Sequence, residues 1–376
     1  MLHKKRKIDW GILLPVICFA IISIITISSA LTYLSPTVGN LALKQAIWYV
    51  IGGVIIFVLF KFKNDYLYRN AWFFYLLCNL LLLFLLLFAP AINNSKCWFV
   101  LPGIGSFQPS EFMKVSLILV LAVMIYKFRE NHQTPSIKEE FLFLLRSFLV
   151  VLVPSILTFL EPDTGAVIIY FVIYFVIIFT SGIRLRWFFI FLLLILLVLG
   201  FVLGTYFFQE ELFVKIFGTD LYYRFDRIFS WQSGSGLQLE NALASIGSAG
   251  VFGYGYNQTP IYFPESGTDF IFAVFASNFG LLGAIVLLLL IVFFDGKLIY
   301  LASKKINPID KFTLAGIIGM LVFQQVQNIG MTIGLFPITG ITLPFISYGG
   351  SSLLSYMILV GIVLNISSED NRKIRI

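Results

Sequence analysis

The chain has 376 residues, of which 59% are hydrophobic and only 12% charged, and its mean hydropathy is +0.94. Soluble domains carry about 25% charged residues, so these figures exclude a water-soluble globular protein and describe an integral membrane one. The formal net charge of +7 is no nucleic-acid signature, because the basic residues sit in segments that flank apolar runs.

Ten apolar runs of membrane-crossing length follow in order: about 11–34, 41–60, 71–90, 112–126, 142–160, 165–181, 187–208, 269–294, 312–334 and 343–366. The runs are continuous rather than alternating, which predicts helices and not barrel strands. The expected fold is therefore an all-α polytopic membrane protein. It has about ten transmembrane helices, a single membrane domain over 1–376, and a long extracellular loop, 209–268, between helices seven and eight. The first run is too long for a signal peptide and is expected to stay as a helix. Cys18, Cys78 and Cys97 have no metal-like spacing, and no disulfide framework is expected. His3 and His132 lie in charged segments, which argues against histidine chemistry.

Lysine and arginine crowd into six segments: 1–10, 61–70, 127–141, 182–186, 295–311 and 367–376. The opposite loops carry only Lys44, Lys96, Lys215, Arg224 and Arg227, spread over more sequence. By the positive-inside rule both termini are cytoplasmic and the 209–268 loop faces outward.

In chain order, the first three runs carry no chemistry. The second outer loop has turn residues Pro102, Gly103 and Gly105. Gln108-Pro109-Ser110-Glu111 then opens the fourth run, with Ser110 expected as N-cap and Glu111 placed to favour the helix dipole. Glu111 and Lys114 share a helix face and can pair. A lysine one turn into a span seeks a partner or a cavity. Glu161-Pro162-Asp163-Thr164-Gly165 is a tight outer turn, where Asp163 or Thr164 could cap the next helix or supply an acid to a site. In the long loop, Arg224 and Arg227 stand three apart and could address an anion, or only contact headgroups. The rest of that loop is rich in aromatic residues, as interfacial segments are.

The stretch YFPESGTDFIFAVFASNFGLLG, residues 262–283, passes from polar to apolar at Asp269. A carboxylate where water gives way to lipid is costly to desolvate, so it reads as functional. A helix cap at Thr268 or Asp269 is the plain alternative. Gln324, Gln325, Gln327 and Asn328 make the ninth run unusually polar, as interhelical hydrogen bonding requires. Residues 335–356 hold prolines, glycines and serines at membrane depth, which predicts irregular backbone against a cavity.

Four of these segments, QPSEFMK (108–114), EPDTG (161–165), FPESGTDFIFAV (263–274) and FPITGITLPFISYGGSS (336–352), resemble in order and spacing the SEDS family, the RodA/FtsW/SpoVE group. The opening Lys-Ile-Asp-Trp at 7–10 and the short tails look more like RodA. The resemblance implies a peptidoglycan glycosyltransferase that polymerises lipid II on the outer face of the cytoplasmic membrane. Its partners would be a class B penicillin-binding protein and other elongation or division machinery. It implies Asp269 as the catalytic residue, with Lys114, Asp163 and Arg227 at matching positions. Glu161, Arg224 and Glu111 join these as substrate-binding candidates beside them. A divalent metal, Mg or Mn, is an open cofactor. The chain departs from the family pattern at Asn241-Ala242, Ala249-Gly250, Gly267-Thr268 and Ser277-Asn278-Phe279-Gly280. A lipid II flippase or transporter is the alternative, since broken helices and a polar span suit one; so is an FtsW-like polymerase of division or sporulation. Against transport, the motifs gather at the outer helix ends.

Overall fold

The structure is a computed structural model and describes residues 7–30, 40–90, 96–101, 105–219, 221–223, 225 and 237–368. The helices are α1 (Trp10–Ala30), α2 (Leu41–Lys61), α3 (Asn64–Arg69), α4 (Ala71–Phe88), α5 (Pro109–Asn131), α6 (Ile137–Leu160), α7 (Thr164–Thr180) and α8 (Arg186–Phe208). They continue with α9 (Glu210–Phe217), α10 (Leu237–Ser248), α11 (Ile271–Lys304), α12 (Pro308–Thr332) and α13 (Gly350–Ser368). Strands β1 (Phe99–Leu101) and β2 (Gly105–Phe107) pair antiparallel, with Phe99 opposite Phe107.

Leu-, Ile- and Phe-rich runs form helices here because a helix satisfies every backbone group within itself, which lipid demands. Among the described residues eight helices are long and apolar enough to cross a membrane: α1, α2, α4, α6, α8, α11, α12 and α13. The apolar α7 has only 17 residues, and the long α5 carries Glu111, Lys114, Lys127, Arg129 and Glu130. The polytopic all-helical architecture thus agrees with the sequence reading, by eight helices of full spanning character.

The centre of the bundle is α5, α7, α12 and α13. Met113, Leu117, Ile118 and Val120 of α5 are fully buried, as are Ile173 and Ile177 of α7 and Leu314 and Met320 of α12. In α13, 78% of the apolar stretch is buried, against 6% in α8, which stands at the rim.

Several boundaries differ from the sequence reading. Helix α11 does not stop at 294 but runs on to Lys304, because the charges at its end find partners. Lys297 Nζ lies 3.0 Å from Asp9 Oδ2, and Ser367 Oγ donates to the same oxygen at 2.7 Å. Partial burial works to raise the Asp9 carboxyl, but Ser367 and Lys297 hold it below the usual range. The last helix begins at Gly350 rather than 343; residues 333–349 form the irregular segment that the Pro/Gly content called for. Among the described residues the long loop contains the helices α9 and α10, and the second outer loop pairs β1 with β2.

The most unusual backbone feature is a break in α11 at Gly280, where φ is 64°. The break frees backbone groups, and the 250–255 loop takes them up. The Tyr254 and Gly255 amides donate to the Ser277 and Asn278 carbonyls, and those of Leu281 and Leu282 to the Gly250 and Val251 carbonyls, all at 3.0–3.1 Å. Gly253 and Gly280 meet backbone to backbone, so a Cβ on either would collide with the other strand of chain. The Asn278 side chain fastens the junction, donating to Ser29 Oγ at 2.6 Å and accepting from Thr259 Oγ1 at 2.8 Å. Gly253→Ala combines a positive φ of 77° with this collision. Its expected cost is on the order of 2–4 kcal/mol, read as a lower thermal unfolding midpoint in detergent.

Candidate functional site

The QPSE segment and the 161–163 turn fold onto each other. Helix α5 starts with Pro109 in its first turn, where a missing N–H costs nothing. Its cap residue is Gln108, which makes no side-chain cap bond. Ser110 is therefore not the expected N-cap. Its Oγ donates instead to Asp163 Oδ2 at 3.0 Å, and Gln108 Nε2 donates to the same oxygen at 2.9 Å. The other Asp163 oxygen accepts the Ala166 amide at 3.0 Å and caps α7. One carboxylate thus both starts a helix and joins two of the sequence motifs.

Behind it, Lys114 Nζ and Glu111 Oε2 form an ion pair at 2.6 Å. The pair is enclosed: the lysine side chain is 1% exposed and the glutamate 11%. Lys114 Nζ also stands 5.7 Å from the Tyr356 ring centroid, and Ser355 Oγ donates to Glu111 at 3.5 Å. Two charges at this depth are tolerable only together, since removing either leaves the other uncompensated.

Glu161 closes α6 and is fully buried, with both carboxylate oxygens lacking a hydrogen-bond partner. Its backbone carbonyl accepts from Cys97 Sγ at 2.8 Å. Burial, and then the neighbouring Asp163 charge, push the Glu161 carboxyl up to about 8. A carboxyl raised in the folded state contributes stability that is complete below its unfolded pKa of about 4.3. That stability is lost as pH rises toward 8. Glu161→Gln is expected to flatten the fall in thermal midpoint between pH 5 and 8, a slope calorimetry at several pH values would read.

The second half of the site is the 265–270 turn. Helix α11 begins at Ile271 with Phe270 as its cap residue and no side-chain cap bond. Neither Thr268 nor Asp269 is an N-cap, which removes the plain alternative for Asp269. Thr268 Oγ1 donates to Glu265 Oε2 at 2.6 Å instead. Asp269 is half-buried, and the turn around it rests on the irregular 333–349 segment. Ser347 Oγ donates to the Thr268 carbonyl at 2.6 Å and the Tyr348 amide to that of Gly267 at 2.9 Å. Asn328 Nδ2 donates to the carbonyls of both Asp269 and Ile341, each at 2.8 Å.

Residues 339–341 join the two halves. A Cβ at Gly340 would lie 3.6 Å from Asp269 Oδ2, and one at Gly165 would lie 3.0 Å from the Thr339 carbonyl and from Ile341 Cγ1. The Asp269 turn thus meets Gly340, and the Asp163–Gly165 turn meets its two chain neighbours, Thr339 and Ile341. Gly340, at φ 71°, needs glycine, and Gly165 packs tightly against the Thr339 carbonyl.

Of the sequence candidates, the structure gathers Glu111, Lys114, Glu161, Asp163 and Asp269 at this end of the bundle. Arg224 and Arg227 lie outside the described residues. Sequence reasoning missed the role of Ser110, and it took Asn328 and Gln327 as helix packing. The polar density of the ninth run was the signal for both amides. Among the described residues no three His, Cys, Asp or Glu side chains converge as a metal cage. A groove of about 750 Å3 opens beside the site between α2, α3, α4 and α5. Lys63 and Tyr66 line one end, while Phe107 and Phe112, stacked at 5.1 Å, line the end next to Glu111. Its wall between them is almost wholly apolar.

Comparisons with known proteins give the family and the fold. Residues 9–372 match the profile of the cell cycle protein family that unites FtsW, RodA and SpoVE. A probable peptidoglycan glycosyltransferase FtsW of Coxiella burnetii is 35% identical over 300 residues, covering 77% of this chain and 76% of the relative. Stage V sporulation protein E of Bacillus subtilis is 33% identical over 347 residues, 87% of this chain and 86% of the relative. The crystal structure of Thermus thermophilus rod shape determining protein RodA superposes with a TM-score of 0.68 at 27% identity, covering 96% of each chain. A chain of a peptidoglycan synthase complex shares the fold with a TM-score of 0.77 at 24% identity, covering 97% of this chain and 98% of that one. Relatives of the division, sporulation and rod-shape types all appear, so the RodA-like leaning of the sequence is not singled out. With the family match spanning nearly the whole chain, the protein belongs to the FtsW/RodA/SpoVE family, the SEDS proteins.

Proposed function

We propose that this protein is a peptidoglycan glycosyltransferase that polymerises lipid II into glycan strands, with Asp269 as general base. The observation that carries the reading is the meeting of four motifs at one end of the bundle, beside an apolar groove. A half-buried carboxylate would face a sugar hydroxyl, and the groove would take the polyprenyl tail of a lipid-linked disaccharide. The acceptor oxygen attacks the anomeric carbon of the donor as its proton passes to the Asp269 carboxylate. The bond from that carbon to the pyrophosphate oxygen breaks on the opposite face, and the configuration inverts from α to β. The electron pair leaves with the polyprenyl pyrophosphate.

That departing charge calls for cations. Arg224 and Arg227 of the long loop are assigned to it, while the Lys114–Glu111 pair fixes Asp163 and the start of α5 from behind. Mg2+ usually rests on one or two carboxylates together with substrate phosphates. An ion held by Asp269 would neutralise the pyrophosphate, and it would do so in place of the proton-accepting role of that carboxylate. The basic segments support cytoplasmic termini and a site on the outer face of the cytoplasmic membrane. A class B penicillin-binding protein is the proposed partner for crosslinking, supported by the fold shared with the synthase-complex chain. The RodA-like opening sequence supports a role in cell elongation and shape, alongside the other elongation machinery.

The test is purified protein with its partner and lipid II, read as glycan polymer on gels. Vesicles that scramble lipid II without making polymer would replace the reading with transport.

A further inference from the structure

The irregular segment 337–341 touches both halves of the site, and its backbone has no sheet partner among the described residues. Two adjacent amides of α12 hold it. Gln327 Nε2 donates to the Pro337 carbonyl at 3.0 Å and to Thr339 Oγ1 at 3.2 Å. Asn328 Nδ2 donates to the Ile341 carbonyl at 2.8 Å, and its second proton goes to the Asp269 carbonyl, also at 2.8 Å. The Asn328 side chain is fully buried. A primary amide has two donor protons, and here both are spent on main-chain oxygens of two segments 72 residues apart in sequence, Asp269 and Ile341. No apolar residue of the same size could make that link. An amide aimed only at helix packing would bond to a neighbouring helix instead.

We propose that Asn328 is a positioning residue for Asp269, with Gln327 setting the 337–341 segment against which Asp269 is placed. The assignment rests on the reading of Asp269 as the base. Asn328 touches no reacting atom. It fixes the Asp269 main chain to Ile341 and so sets Asp269 against Gly340, on the other side of which lies the Asp163–Gly165 turn. The amide therefore fixes the spacing between the base and the half of the site that holds Asp163 and Lys114. A displacement of about 1 Å in such a group costs about 100-fold in rate.

The experiment uses full-length protein with its partner and carries Asn328→Ala, Asn328→Asp and Gln327→Ala. Two readouts are taken: amide hydrogen exchange over 265–270 and 337–343, and polymerisation kinetics with lipid II. Asn328→Ala is expected to speed exchange in both segments and to lower kcat about 100-fold, with KM within about threefold. Asn328→Asp keeps the shape and loses both donors, so it is expected to do no better. Gln327→Ala is expected to loosen 337–343 alone, with a smaller loss of kcat.

Wild-type exchange and rate in Asn328→Asp would reduce the residue to a volume filler and overturn the proposal. So would faster exchange with an unchanged kcat. A wild-type protein that makes no polymer overturns the functional reading and Asp269's part in it. The exchange data then still decide whether the amide joins the two segments.

Discussion

Asp269→Asn is expected to reduce glycan polymerisation by at least about 100-fold, the lower end of what a positioned general base contributes. The substitution is nearly isosteric and removes the negative charge, and with it the ability to take a proton. Asp269 is half-buried and the cap residue of α11 is Phe270, so the variant is expected to fold and to bind its partner. The measurement is polymer yield from lipid II beside copurification of the partner. Normal polymerisation by Asp269→Asn, in a protein that folds, would exclude proton abstraction as the role of this residue. The Gly340 contact sharpens the case. A glycine at φ 71° lies 3.6 Å, from where its Cβ would stand, to Asp269 Oδ2. The carboxylate thus has a bare stretch of main chain on that side.

Lys114→Met is expected to destabilise the protein by about 3–5 kcal/mol, because it strands Glu111 in the interior without a counter-charge. Unfolding in detergent by thermal scan is the measurement. The pair Glu111→Gln with Lys114→Met removes both charges and is expected to recover most of that loss. Activity then separates two roles. Polymerisation restored along with stability would make the pair structural. Polymerisation that stays low in a stable double variant would place the Lys114 charge in the chemistry.

The sequence carried the class of fold plainly, because membrane helices advertise themselves by composition. It also carried the Glu111–Lys114 pair, since a three-residue spacing on a helix dictates contact. What it could not carry were contacts between segments far apart. Ser110 read as a cap because Ser before a helix so often is one; only the position of the 161–163 turn, some 50 residues on, diverts its hydroxyl to Asp163. Asn328 read as packing because hydrogen-bonding amides in spans usually are, and its real acceptors are main-chain oxygens that no sequence pattern marks. The extension of α11 to Lys304 was hidden for a similar reason. Lys297 looked like a loop charge until Asp9 and Ser367 supplied its surroundings. Arg224 and Arg227, assigned from spacing and resemblance, rest on the functional proposal alone.

The break at Gly280 bears on how the protein is built. Helix α11 has 34 residues, which at 1.5 Å each comes to about 51 Å, far beyond a hydrocarbon core of about 30 Å. The stretch 281–304 alone is about 36 Å long and suffices to cross. The piece 281–304 therefore has the length of a span by itself, and 271–279 lies beyond it. That outer piece gains its place only when the 250–255 loop lends it hydrogen bonds and Asn278 reaches Ser29. The Asp269 end of the helix is thus placed by tertiary contacts and not by the span itself, so a chain with its spans in the membrane still needs the 250–255 loop to complete that end.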